Sequence, residues 1–172
     1  DTKIVPIVSS AKAAKIIIRS YLKSDRLPDA LVVEGPLAGG HLGFKMEELL
    51  ENKCMSLVDI VKEVKLLLKS YEDEYKVKIP LIAGGGIRTR HDIIQLKEAG
   101  ADGFQIASLF VPTLECDAHQ NFKSAYINAS DDKISIIKSP VGMPGRAIET
   151  NFLTRGKSII ENCYKCMPGC NP

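Results

Sequence analysis

The chain has 172 residues, 45% of them hydrophobic, which is long enough to bury one core. Its 23 basic and 21 acidic side chains leave a net charge of +2, which gives no case for binding nucleic acid or an anionic membrane. Charged residues, glycine or proline interrupt the apolar runs, so no transmembrane span is predicted. Five cysteines, an odd number, argue against a secreted disulfide framework. Because no signal-peptide pattern is recognised, we expect a cytoplasmic protein.

In chain order, the first 112 residues alternate between short apolar strands and amphipathic helices, which predicts parallel βαβ units. The predicted strands are Lys3–Val8, Ala30–Val33, Leu81–Ala83 and Gly103–Ile106. The predicted helices run from a cap at Ser9 or Ser10 to about Lys23, from Ser56 to about Tyr71, and from Thr89 to Ala99, where Gly100 ends the last of them. A long glycine-rich loop, Gly35–Gly43, follows the second strand.

Residues 113–172 are less regular, and we expect them to form a tail that lies over the ligand-binding face and ends in a cysteine cluster. The predicted elements of the tail are one or two short helices in Thr113–Ala129, a turn at Asp131-Asp132, a short strand Lys133–Ser139, a loop Pro140–Gly145 and a helix Asn151–Ile160.

Four βα units in residues 1–112 correspond to half of a parallel (β/α)₈ barrel, which typically needs about 250 residues. A four-stranded open sheet is the alternative. A strand at the very start of the chain and a cysteine cluster at its end indicate a piece of a longer protein. The open sheet edges of a half barrel would need cover from a missing N-terminal half or from a second copy of the chain.

Two strand ends carry small residues and predict a phosphate site. Gly84, Gly85 and Gly86 close the third strand just before a helix, and Ala107-Ser108 follow the fourth strand. Small residues let backbone amides approach a ligand, and a helix N-terminus favours an anion. Two such ends one βα unit apart are typical of the phosphate cradle at the last two strands of a (β/α)₈ barrel. A tight βα turn without a ligand is the alternative.

The loop after the second strand offers the best catalytic candidate, His41. Barrel enzymes place their chemistry at the C-terminal ends of strands, and imidazole exchanges a proton near neutral pH. Gly39 and Gly40 beside it indicate that a ligand approaches the backbone here. A structural hydrogen bond is the alternative for His41. Glu34 ends the same strand, and a salt bridge at the barrel rim is its simplest interpretation.

Three cysteines near the end of the chain, Cys163, Cys166 and Cys170, are weak candidates for a zinc or iron–sulfur site. A fourth ligand is missing, and reduced thiols in a tail are the alternative. Cys54 and Cys116 are isolated and are interpreted as structural.

The remaining polar residues give weaker indications. Glu115, Asp117 and His119 allow a metal site, although their spacing matches no established ligand pattern. Arg146 follows Gly142-Met-Pro-Gly, and a surface salt bridge is favoured over contact with a substrate anion. His91 is expected to be exposed in the first turn of its helix.

Three segments in this order resemble the nitronate monooxygenase family, formerly called 2-nitropropane dioxygenases, and the related flavin-dependent enoyl-acyl-carrier-protein reductases. They are Glu34-Gly-Pro-Leu-Ala-Gly-Gly-His-Leu-Gly43, Ile79-Pro-Leu-Ile-Ala-Gly-Gly-Gly-Ile87 and Gly100-Ala-Asp-Gly-Phe-Gln-Ile-Ala-Ser-Leu-Phe110. The resemblance runs from about Ile4 to Ala147. The chain departs from the family pattern at Ala107, where many members have glycine.

The resemblance implies an FMN-dependent barrel enzyme that oxidises alkyl nitronates or nitroalkanes with O₂ to a carbonyl compound and nitrite. It makes His41 the catalytic base or an orienting donor. It assigns Ala38, Gly39, Gly40, Gly84, Gly85, Gly86, Ala107 and Ser108 to the cofactor, with the last five at its phosphate. The alternatives are an FMN- and NAD(P)H-dependent enoyl-thioester reductase and an inactive, truncated flavin-binding fragment.

Overall fold

The computed structural model describes residues 2–139, 141–151 and 153, with strands and helices numbered along the chain. Four strands form a parallel sheet in the order β1-β2-β4-β5: β1 Ile7–Val8, β2 Leu31–Glu34, β4 Leu81–Gly84 and β5 Gly103–Gln105. Three strands form an antiparallel sheet in the order β3-β7-β6: β3 Gly40–His41, β6 Ile134–Lys138 and β7 Pro144–Ile148. The helices are α1 Ala11–Leu22, α2 Met46–Leu50, α3 Leu57–Tyr75, α4 Arg90–Glu98 and α5 Gln120–Ile127.

The predicted serine caps start α1 and α3. The Ser10 side chain accepts a hydrogen bond from the amide of Ala13 at the start of α1, and Ser56 accepts one from Asp59 at the start of α3. These hydroxyls satisfy amides that have no partner within the helix. The α3 helix runs four residues beyond the predicted Tyr71 and ends where Lys76 adopts a left-handed conformation, with φ of 55°.

One hydrophobic core lies between the parallel sheet and its helices. Leu31 of β2 and Leu81 of β4 are fully buried in it, together with Ile18 of α1, Val64 of α3 and Leu96 of α4. Because side chains alternate between the two faces of a strand, α1, α3 and α4 all cover the same face. With β3 in the other sheet, the strands of the parallel sheet are neighbours in the order in which they occur along the chain. Strands in chain order with all helices on one face are typical of a (β/α)₈ barrel, whereas doubly wound open sheets carry helices on both faces.

Three predictions of secondary structure need correction. The first strand is only Ile7–Val8, not Lys3–Val8, because Pro6 has no amide to donate to a sheet. The loop Gly35–Gly43 contains β3, and α2 follows it without having been predicted. The predicted loop Pro140–Gly145 overlaps β7, which begins at Pro144. Both missed strands depend on pairing with each other across about a hundred residues, which local sequence patterns cannot reveal.

The tail is otherwise close to its prediction. Strand β6 lies within the predicted Lys133–Ser139, Asp131–Lys133 forms a short 3₁₀ turn, and the single helix α5 lies within Thr113–Ala129. The predicted helix Asn151–Ile160 falls almost entirely outside the described residues. Because β7 pairs with β3, residues beyond 112 contact the loop that carries His41.

No helix in the described part of the chain is long and apolar enough to cross a membrane.

Asp102 stabilises the edge of the sheet at which the strands begin. Its carboxylate accepts a hydrogen bond from the Leu81 amide at 3.0 Å and pairs with the ammonium groups of Lys65 at 3.3 Å and Lys78 at 2.9 Å. Burial raises the pKa of Asp102, but the Leu81 hydrogen bond and the two ammonium groups outweigh burial and hold the pKa below its usual value.

Asp102→Asn should lower the free energy of unfolding by about 1 kcal/mol at neutral pH, a modest value because water screens partly exposed ion pairs. Since the pKa is lower in the folded than in the unfolded state, this stabilisation is present above about pH 4 and is lost as the pH falls through the folded-state pKa. Urea unfolding at neutral pH and near pH 3 measures it. Asp73→Asn, on an exposed position of α3, is the control. An equal loss for Asp102→Asn at both pH values would contradict the ion-pair explanation.

Candidate functional site

The sequence-predicted site residues gather where three neighbouring parallel strands end. Glu34, Gly84 and Gln105 are the last residues of β2, β4 and β5, and they stand side by side in the sheet register. The loops that follow these strands carry the candidate cofactor and catalytic residues. We call residues 35–43 the His41 loop.

Gly85 and Gly86 are packed against the His41 loop. Their φ values are +96° and +81°, a region that side chains other than hydrogen rarely allow. A Cβ on Gly85 would lie 2.9 Å from the Cβ of Ala38, and one on Gly86 would lie 2.7 Å from the Cβ of Leu37. Glycine is therefore required here by backbone conformation and close packing.

The amides at both strand ends are open. Within the described residues, the backbone N–H groups of Gly85, Gly86 and Ile87 donate to no other backbone group, and neither do those of Ala107 and Ser108. Gly86, Ala107 and Ser108 are also exposed, whereas Gly85 is half-buried and Ile87 is buried. Exposed, unpaired amides on adjacent strand ends can bind the oxygens of an anion.

The start of α4 does not contribute to this site in the way the sequence indicated. The Asp92 carboxylate already accepts hydrogen bonds from the amides of Arg88 at 3.0 Å and Thr89 at 2.8 Å. The Thr89 hydroxyl accepts in return from the Asp92 amide, which completes a capping box. These hydrogen bonds lower the pKa of Asp92, so its negative charge occupies the helix N-terminus. The open amides of residues 85–87 remain for a ligand.

His41 is exposed on β3, at the edge of the antiparallel sheet. Its ring forms no hydrogen bond or ion pair with another described residue, so the alternative of a structural hydrogen bond finds no support there. A Cβ placed on Gly39 or Gly40, just before it, would have open space within 4 Å. A ligand can therefore approach the backbone directly beside the imidazole.

Ala38 is a buried residue of the His41 loop. It is only 3% exposed and forms a small apolar cluster with Leu42 and Leu49. Its amide donates to the carbonyl of Gly35 at 3.1 Å and is therefore not open as those of residues 85–87 are. Its methyl group packs against Gly85.

Glu34 is half-buried at the end of β2, and burial raises the pKa of its carboxyl group. Among the described residues it forms no ion pair, so the interpretation as a rim salt bridge is not supported.

Arg146 forms a different contact from the surface salt bridge expected for it. Its Nη2 donates to the carbonyl oxygen of Pro36 at 3.0 Å, in the His41 loop. No local sequence pattern could predict this contact, because the two residues lie 110 positions apart.

A family model described as nitronate monooxygenase matches residues 1–171. The chain belongs to the nitronate monooxygenase family. A probable nitronate monooxygenase from Staphylococcus aureus (strain Newman) is 26% identical over 125 residues, which make up 73% of this chain and 33% of the relative. The chain thus spans about a third of the length of the curated nitronate monooxygenases it matches.

Two solved structures resemble the chain in fold. FabK from Thermotoga maritima is 27% identical with a TM-score of 0.63, and the match covers 88% of this chain and 40% of FabK. Nitroalkane oxidase from Streptomyces ansochromogenes is 23% identical with a TM-score of 0.63, covering 89% of this chain and 40% of the oxidase. The α/β fold with its parallel sheet is shared with both.

In this nitronate monooxygenase family member, the metal site considered at Glu115, Asp117 and His119 gains no support within the described residues. His119 Nδ1 accepts a hydrogen bond from the Asn121 amide and caps α5. Within the described ranges, no three His, Cys, Asp or Glu side chains are close enough to hold a metal ion. Cys163, Cys166 and Cys170 lie outside those ranges. His91 is exposed in the first turn of α4, as predicted.

An open groove of about 570 Å³ begins at Ala107, just after the end of β5. Its lining is mainly apolar and consists of Ala107, Phe110, Val111, Thr113, Glu115 and Cys116. Lys123 supports this segment, because its buried Nζ donates to the carbonyl of Thr113 at 2.8 Å.

Proposed function

We propose that the chain is the C-terminal half of a (β/α)₈ barrel that binds FMN and oxidises alkyl nitronates or nitroalkanes with O₂ to a carbonyl compound and nitrite. The observation that carries the proposal is the pair of strand ends with unpaired amides, one of which packs through Gly85 and Gly86 against the loop that carries the exposed His41. Membership in the nitronate monooxygenase family supports the reaction class.

The residues present fit the phosphate of FMN. The amides of Gly85, Gly86 and Ile87 would bind it from one strand end, and Ala107 and Ser108 would bind it from the next. Gly84 adds no side chain that would block the approach, and the open space at Gly39 and Gly40 leaves room beside His41. Bound FMN would supply the electron acceptor.

His41 would act as the base in this site. Its imidazole takes the α-proton of a nitroalkane, and the carbon keeps the electron pair, which gives the nitronate anion. A preformed nitronate needs no such proton transfer. With a preformed nitronate, His41 would only orient the nitronate group of the substrate.

The barrel proposal rests on the consecutive strand order and on the helices that share one face. The other strands would come from an N-terminal half of the protein, and a second copy of the chain is the alternative cover for the open face. A cytoplasmic location stays a prediction.

An enoyl-thioester reductase on the same scaffold is the second candidate. The observation that favours it is the fold similarity to FabK, at a TM-score of 0.63 and 27% identity. Such an enzyme would use FMN and NAD(P)H with an enoyl thioester as the substrate.

Spectroscopy and anaerobic mixing of the purified intact protein separate the candidates. We expect the visible absorbance bands of bound FMN and bleaching of those bands when an alkyl nitronate is added without O₂. Fast bleaching by NADPH or NADH and reoxidation by an enoyl thioester, with no response to nitronate, would favour the reductase. A protein that stays colourless with excess FMN would contradict both enzyme candidates and favour the third alternative, an inactive fragment.

A further inference from the structure

Arg146 is a half-buried cation on β7 whose side chain reaches the start of the His41 loop. Its Nη2 is bonded to the Pro36 carbonyl, while its Nε is buried without a hydrogen-bond partner in the described part of the chain. No described carboxylate pairs with the guanidinium group. The partner that the guanidinium group has is therefore a backbone carbonyl. A charged donor forms a stronger hydrogen bond with a carbonyl than a neutral donor does.

The backbone around Arg146 holds the other end of the same loop. Strands β3 and β7 are antiparallel, with Gly40 opposite Arg146 and His41 opposite Gly145. The Leu42 amide donates to the Pro144 carbonyl at 2.8 Å. A strand of two residues such as β3 does not persist alone, so its position depends on β7. The loop is thus attached to β7 on both sides of residues 37–39.

The stretch between these two attachments packs on the cofactor glycines. Leu37 and Ala38 are the residues that Gly86 and Gly85 approach most closely. Movement of this stretch would displace His41 relative to the open amides of residues 85–87.

We propose that Arg146 is a positioning residue that, through Pro36 and the β3–β7 pairing, holds His41 where it can remove the α-proton of a nitroalkane. The catalytic part of this inference rests on the proposed function, whereas the attachment of the loop does not. A shift of about 1 Å in such a base can cost about 100-fold in rate.

A cavity beside the guanidinium group allows a rescue experiment. It has a volume of about 80 Å³ and is lined by Pro36, Leu37, Leu49, Asn52, Cys54 and Arg146. Arg146→Ala would enlarge this space, so that free guanidinium ion could occupy it next to the Pro36 carbonyl.

Hydrogen–deuterium exchange of the intact protein without FMN tests the attachment separately from any activity. Arg146→Ala should speed amide exchange in peptides covering residues 36–43 by about tenfold or more, with no change in α3. Millimolar guanidinium should reverse the effect, and Arg146→Lys should show a smaller one. Arg19→Ala, an exposed arginine on α1, is the matched control and should leave exchange unchanged. Unchanged exchange in the loop of Arg146→Ala would overturn the proposal.

Kinetics then test the catalytic role on the FMN-loaded protein. In Arg146→Ala, kcat/KM for a neutral nitroalkane should fall about 10- to 100-fold more than kcat/KM for the preformed nitronate, and guanidinium should restore the ratio. If the ratio of kcat/KM for nitroalkane to kcat/KM for nitronate is the same in Arg146→Ala as in Arg19→Ala, Arg146 does not position His41 for proton removal, even if exchange in the loop is faster. If Arg146→Ala does not fold, Arg146→Lys provides both measurements with a smaller expected change. Absence of nitrite from the wild type would contradict the proposed function, and the exchange result would still decide whether Arg146 holds the loop.

Discussion

Replacing His41 with alanine should reduce nitrite formation from a neutral nitroalkane by about 100- to 10,000-fold, the range expected when a general base is lost. The rate with preformed nitronate should fall by about tenfold or less, because no proton has to be removed from carbon. His41 is exposed and its ring forms no hydrogen bond or ion pair with other described residues, so removal of the ring should leave folding and FMN affinity unchanged. Steady-state nitrite assays with both substrates at one pH measure the effect.

His91→Ala is the matched control for this experiment. His91 is also exposed, but it lies on α4. Its variant should retain wild-type rates with both substrates. Equal losses of rate with nitroalkane and nitronate in His41→Ala would show that His41 is not the base. Rates in His41→Ala as high as those of His91→Ala would show that His41 has no part in the reaction.

Ser108→Asp should raise the dissociation constant of FMN by about 10- to 100-fold, because it would set a carboxylate against the cofactor phosphate. This change corresponds to about 1.4–2.8 kcal/mol. Riboflavin carries no phosphate, so its affinity should change little. Ser108 is exposed and makes no hydrogen bond within the described residues, so we expect the free energy of unfolding to stay within about 0.5 kcal/mol. Fluorescence titration with both flavins provides the comparison.

Two controls separate charge from shape at this position. Ser108→Asn is of similar size to aspartate without the charge and should bind FMN nearly as well as the wild type. Ser20→Asp places the same charge on an exposed position of α1, away from the site. Equal losses of FMN and riboflavin affinity in Ser108→Asp would mean that the phosphate lies elsewhere.

The sequence predicted the parts of the fold that local patterns determine. Ser10 and Ser56 cap α1 and α3 as expected, because side-chain capping depends on residues within one turn. The apolar runs that become β2 and β4 are buried on the helix side of the sheet, Phe104 of β5 packs partly buried against the same core, and the strand order follows from the βαβ pattern.

The site was predicted less completely, because its supporting contacts join distant segments. The pairing of β3 with β7 and the bond from Arg146 to Pro36 both join residues about a hundred positions apart. The packing of Ala38 against Gly85 shows that these glycines also serve contacts within the protein. The sequence Thr89-x-x-Asp92 matches a capping box. That pattern could have predicted that the Asp92 carboxylate, and not a ligand, binds the amides at the start of α4.

Nitrite release under air by the FMN-loaded intact protein, with propionate 3-nitronate as the substrate, tests the central claim most directly. We predict steady nitrite formation that depends on FMN and consumes O₂. FMN-loaded protein that forms no nitrite above the rate of free FMN would contradict the proposed function.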